Sequence, residues 1–162
     1  GKYPIEKYNG AVAVLDLTPT LRGKRRITGN LLGKALSKSG LDLVNLERLL
    51  LRTYASLPVR WDPKYPYLTP DATQILVNLP RLGMVGTDAP SVDPPSASPI
   101  ISYSHGILFR DRVATIEGYN SDALPKASVT YGQLDVELET QVGTDNPDAL
   151  FAKIKLEVNW TH

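Results

Sequence analysis

Apolar and polar positions follow two different rhythms along this chain. In the first two thirds, short apolar runs alternate with amphipathic stretches. Residues 10–17 (GAVAVLDL) are nearly all apolar and rich in Val and Leu, the pattern of a strand covered on both faces. Residues 27–39 (ITGNLLGKALSKS) suit a short helix, with Thr28 placed as its N-cap and Gly40 just past its end, although two interior glycines weaken it. Residues 46–53 (LERLLLRT) suit another buried strand, and their leucines would also serve a helix. Residues 59–68 (VRWDPKYPYL) are aromatic and interrupted by prolines, whose preceding residues avoid helical backbone, so a loop is expected.

A helix should then open at Thr69, with Pro70 at its first position and Asp71 at the positive end of its dipole. Ala72, Ile75, Leu76 and Leu79 form its apolar stripe, and Pro80 stops it. Residues 82–87 (LGMVGT) form a short strand that feeds a long proline- and serine-rich loop, residues 88–101. Ordered loops of that length often line sites. Residues 106–117 (GILFRDRVATIE) read as helix or strand, then strand, divided by a polar turn at residues 110–112. The second rhythm takes over in the tail. Residues 131–140 (YGQLDVELET) and 151–160 (FAKIKLEVNW) alternate with period two around a turn-like stretch at 143–147, which predicts an antiparallel hairpin. No repeat or long linker divides the chain, so a single α/β (α+β) domain with a mixed sheet, few helices and a C-terminal hairpin is expected over residues 1–162.

Composition narrows the chemistry. The 162 residues are 42% hydrophobic and 22% charged, ordinary for a globular chain with a core. A net charge of +1 gives no global reason to expect nucleic acid or an anionic membrane as partner. Gly23-Lys24-Arg25-Arg26, the basic run, reads as a solvated loop rather than a phosphate site. The absence of cysteine removes disulfides, thiol nucleophiles and Cys-zinc sites, and fits a cytoplasmic protein or a periplasmic one. No apolar stretch is long enough for a membrane span, and no signal peptide is visible. The chain opens without Met, which suggests processing, a tag scar or a start inside a longer gene product.

Candidate chemistry concentrates between Gly86 and Glu117, where Asp88, Ser91, Asp93, His105 and Glu117 lie. His105 is the one internal histidine, since His162 is terminal. A lone histidine is more often structural than catalytic, and a carboxylate at a strand end is more often simply exposed. Together His105 and Glu117 would make a mixed N/O pair suited to zinc or manganese, but a catalytic zinc ordinarily has three protein ligands.

Two strings change the weights. Tyr65-Pro66-Tyr67-Leu68-Thr69-Pro70-Asp71-Ala72 and Val85-Gly86-Thr87-Asp88-Ala89-Pro90-Ser91-Val92-Asp93-Pro94 are followed by Ser104-His105 and, twelve residues after His105, by Glu117. In order and spacing these resemble the cyclase family that includes bacterial kynurenine formamidases and isatin hydrolases. Pro4 to Asp16 and Leu50-Leu51-Arg52-Thr53 resemble that family's preceding segments, and the resemblance spans about residues 4–120. It implies a swivelling β/β/α fold and hydrolysis of a small aromatic amide or lactam by a zinc- or manganese-bound water. It places His105 and Glu117 at metal-binding or catalytic positions, with His105 as ligand or proton shuttle. Asp88 and Ser91 would shape the loop over the pocket, and Tyr65 and Tyr67 would line the substrate side. For Asp88 taken alone, bracing the loop is the commoner role.

The family's His-x-Gly-Thr-His-x-Asp-x-Pro segment, which supplies two histidines and an aspartate, is not in this sequence. The expectation is therefore an N-terminally truncated cyclase-like domain, active as part of a longer protein, a homo-oligomer or a complex with a complementing chain. The alternative is a non-catalytic relative that binds a ligand or partner.

Overall fold

The computed structural model describes residues 5–95, 103–140 and 150–158. The turn expected at 143–147, the last residues of the loop expected at 88–101, Pro4, Trp160 and His162 lie outside the described residues.

The apolar run after Gly10 forms β1 (Gly10–Asp16), which leads into a single-turn helix, α1 (Thr18–Leu21). A two-residue strand, β2 (Arg26–Ile27), precedes α2 (Gly29–Ser39). The ends of α2 follow the local signals. The Thr28 hydroxyl accepts from Leu31 N at 3.2 Å, and Gly40 takes the left-handed conformation at φ 74° that closes the helix. The leucine-rich stretch resolves as a strand, β3 (Arg48–Arg52). The aromatic loop ends in a second two-residue strand, β4 (Tyr67–Leu68), followed by α3 (Pro70–Val77) and β5 (Met84–Thr87). After the long loop, α4 (Tyr103–Arg110) begins earlier than residue 106 and leads to β6 (Ala114–Glu117). The period-two tail forms β7 (Val129–Thr140) and β8 (Leu150–Val158), paired antiparallel as expected, with Leu134 opposite Leu156 and Val136 opposite Ile154.

Thr69 takes its expected position but not the capping bond that usually goes with it. It sits at the N-cap of α3, but its hydroxyl accepts no helical N–H. It donates instead to Ile27 O at 3.1 Å and hydrogen-bonds the Asp71 carboxylate. Asp71 in turn accepts Gly29 N at 2.8 Å, so it serves the N-terminus of α2 as well as its own helix. The reason is the parallel pairing of β2 with β4, which brings the two helix starts together. A Cβ at Gly29 would lie 2.7 Å from Asp71 Oδ2, so this approach needs glycine.

The large sheet runs β6-β5-β3-β1-β7-β8. β6, β5, β3 and β1 are parallel, and β7 joins β1 antiparallel. The three crossovers advance across the sheet in one direction, so α2, α3 and α4 share one face. There Leu15, Leu49, Leu51 and Val85 pack against Leu32, Leu36, Ala72, Leu76 and Leu108. Val12, Val14, Leu50, Met84, Ile116, Leu134 and Val136 form a second apolar layer on the opposite face, with Tyr119 and Leu124. The parallel strands are thus covered on both faces, which is why they read as unbroken apolar runs. Fully burying one such leucine contributes about 1.5–3 kcal/mol. The result is the expected α/β class with a mixed sheet, and four α-helices among the described residues. None of these helices is long and apolar enough to cross a membrane.

Candidate functional site

The carboxyl ends of parallel strands, where ligands usually bind in open α/β sheets, converge here at β5 and β6. Thr87 and Glu117 end the two strands side by side in register. The loop leaving β5 is tied down at once. Thr87 Oγ1 accepts Ala89 N at 3.1 Å, Ala89 O accepts Gly118 N at 2.9 Å, and Val92 O accepts Leu68 N at 2.9 Å.

Asp93 closes this loop and organises the site. Its carboxylate is almost fully buried; Oδ1 accepts Ser104 N at 2.7 Å, near the start of α4, and Oδ2 hydrogen-bonds His105 Nδ1. On the other side of the ring, His105 Nε2 lies 2.8 Å from Glu117 Oε1. Glu117 Oε1 also accepts Val92 N at 3.1 Å. One imidazole is therefore held between two carboxylates, each fixed by backbone N–H groups. Hydrogen bonding to Glu117 first, with Asp93 adding to it, outweighs burial and pushes the His105 pKa up to about 9. Burial works to raise the Glu117 carboxyl, but hydrogen bonds from His105, Val92 N and Ser91 together hold it below the usual carboxylate range. At pH 7 this favours an imidazolium beside the Glu117 carboxylate.

Around it, Ser91 Oγ accepts Asp93 N at 3.1 Å and stands close enough to Glu117 and the Tyr65 hydroxyl to act on both. Burial raises the Tyr65 pKa, and Ser91 works against it. Trp61 meets Tyr65 edge-on with ring centroids 5.9 Å apart, and Phe109 lies over His105 at 5.6 Å, one helical turn away. Both aromatics are well exposed, at 70% and 62%.

The structure brings His105, Glu117, Ser91 and Tyr65 together. It does not bring Tyr67 with them: Tyr67 pairs with β2 and lines a separate, basic cavity. Asp88 is 4% exposed and braces the interior, accepting Thr53 N, Thr53 Oγ1 at 2.6 Å, Tyr54 N and Ser121 Oγ at 2.7 Å. Burial raises its pKa despite these bonds. The loop-bracing alternative thus describes the contacts of Asp88. Asp93 was counted among the candidate chemistry but given no role, and Trp61 and Phe109 were not singled out. Asp93 lies in the resembling string, and its position twelve residues before His105 was the available signal; nothing in the sequence marks the exposed rings.

The donor set can be compared with what a metal requires. His105 Nε2 and Glu117 are an N/O pair at one point, and Asp93 occupies the place of the outer carboxylate that commonly orients a ligating histidine. Among the described residues, no group of three or more His, Cys, Asp or Glu side chains could hold a metal ion. The donors fit zinc or manganese in kind and fall short in number.

Three solved structures share the fold. A potential metal-dependent hydrolase with cyclase activity is 22% identical, with a TM-score of 0.71 over 96% of this chain and 70% of its own. A predicted metal-dependent hydrolase from Bacillus stearothermophilus is 22% identical, with a TM-score of 0.69 over 94% of this chain and 65% of its own. Isatin hydrolase A from Labrenzia aggregata, bound to benzyl benzoate, is 17% identical, with a TM-score of 0.58 over 80% of this chain and 55% of its own. The chain thus spans between about half and 70% of the length of these structures. The Cyclase family model matches residues 1–94, a stretch that includes Asp88, Ser91 and Asp93 and stops short of His105 and Glu117. On that match, over more than half of its length, the chain belongs to the Cyclase family.

Proposed function

We propose that this chain is part of a hydrolase that cleaves an amide-type C–N bond, an N-formyl or lactam carbonyl carried on an aromatic group. The observation that carries the reading is the Asp93–His105–Glu117 row at the carboxyl ends of β5 and β6 in a Cyclase-family chain. His105 Nε2 and Glu117 would hold a zinc or manganese ion jointly with donors from another segment, in a longer protein, a second copy or a complementing chain. Such an ion, when bound, lowers the pKa of a coordinated water and polarises a carbonyl. Asp93 fixes the His105 ring and its tautomer. Ser91 holds the Glu117 carboxylate, and the Tyr65 hydroxyl stands within reach of the same group. Trp61 and Phe109 offer exposed aromatic walls to an aryl substrate.

The test is metal analysis of the purified protein joined to an N-formylkynurenine hydrolysis assay. Stoichiometric zinc or manganese with turnover, both lost in His105→Ala, is the expected result. Metal-free, inactive protein that stays inactive in added zinc and manganese would overturn it. A second reading, a non-catalytic relative that binds a ligand or partner, is favoured by one observation: both His105 nitrogens are already satisfied by carboxylates. That reading predicts the metal-free, inactive outcome.

A further inference from the structure

The basic run at residues 23–26 is built into the fold. Lys24 N donates to Leu21 O at 2.9 Å, and Tyr67 N donates to Arg25 O at 2.9 Å. Arg26 belongs to β2 and pairs with β4. This fixes the backbone from which three cationic side chains project. Lys34, on the second turn of α2, adds a fourth, and all four line one cavity of about 640 Å³ with Thr28 and Asn30. Among the described residues no carboxylate lies within ion-pair distance of Lys24, Arg25, Arg26 or Lys34. Two acids stand near but outside this cavity: Asp71, bonded to Gly29 N and the Thr69 hydroxyl, and Asp62, which is bonded to the Tyr54 hydroxyl and Lys64 N and shares a neighbouring cavity with Lys24 and Arg25. Four like charges around one hollow repel one another, and in a chain of net charge +1 this concentration is local, not a general surface property.

We propose that this cavity binds a small soluble molecule carrying two or more phosphate charges. Arginine offers a planar fork and lysine a point charge to phosphate oxygens. The volume lies in the range of small-molecule sites. The cavity is concave, and none of the exposed large apolar side chains lines it, which separates it from a membrane-binding surface. The site is independent of the His105 row.

Isothermal titration calorimetry of the whole chain with inorganic pyrophosphate tests this directly. One saturable site is expected, weakened by added salt and weakened at least about tenfold in the double variant Lys24→Ala, Lys34→Ala. Lys38→Ala, Lys126→Ala removes two cations outside the cavity and should keep wild-type affinity. Circular dichroism checks each fold; if the first double variant unfolds, Lys34→Gln alone should still weaken binding. Absence of saturable binding, or equal weakening by the two double variants, overturns the proposal. Sedimentation with phosphatidylglycerol vesicles is the second arm. Vesicle binding that pyrophosphate fails to displace, with no calorimetric response to pyrophosphate itself, overturns it in favour of a lipid surface.

Discussion

His105 is held at both ring nitrogens, and its protonation state couples stability to pH. A free imidazole has a pKa of about 6.5, whereas His105 in the fold is pushed up to about 9. The folded state binds the extra proton more tightly, so this stabilisation is fully present below about pH 6.5 and is lost as pH rises through about 9. Melting temperatures of the metal-free protein should therefore fall between pH 7 and 9.5 more steeply than those of His105→Gln; parallel profiles would contradict the assignment. Asp93→Asn isolates one side of the row. An asparagine can still accept Ser104 N, but it carries no charge toward Nδ1, so the His105 ring titration followed by NMR should move down from about 9 toward 6.5. An unmoved titration would mean that Glu117 alone sets the state of the ring.

At the level of elements, packing between neighbouring strands leaves little room for change. A Cβ on Gly86 would lie 2.1 Å from Leu50 Cδ2, so Leu50, 1% exposed and bordering a cavity of about 390 Å³, must turn out of its packed rotamer. Gly86→Ala should cost about 1–3 kcal/mol in chemical denaturation, and a neutral result would show that the second apolar layer is looser than its burial implies. The elements differ in how far the sequence announces them. β1, α2 and the β7–β8 pair were legible because their signals are local: an apolar run, a Thr28–Gly40 frame, a period of two. The β2–β4 pair was not, since two residues carry no periodicity and the contact joins positions about forty residues apart. Thr69 was rightly placed at the N-cap, but its side-chain bond was hidden for the same reason, because its hydroxyl partner, Ile27 O, belongs to β2. In the site, spacing within the resembling family pointed to His105 and Glu117. The role of Asp93, named from the sequence only as a candidate, became visible when the loop folded back onto α4, and Tyr67 left the site once its strand was paired.

For the whole molecule, the proposed function requires more than His105 and Glu117: the remaining metal donors would have to come from another segment. A homo-oligomer or a complex with a complementing chain is the expected solution state. Size-exclusion chromatography with light scattering checks it, and a dilution-stable monomer that binds zinc stoichiometrically would contradict it. The position of β1 inside the sheet has another consequence. One of its neighbours, β3, lies about forty residues away, whereas the other, β7, pairs Gly10 with Leu134. During synthesis β1 leaves the ribosome with the edge that β7 will cover still open to other chains, until residues more than a hundred positions later have emerged. Closure of so long a loop is slow. In a cell, the yield of this protein should therefore depend on chaperones that shield β1 while the rest of the chain is being made.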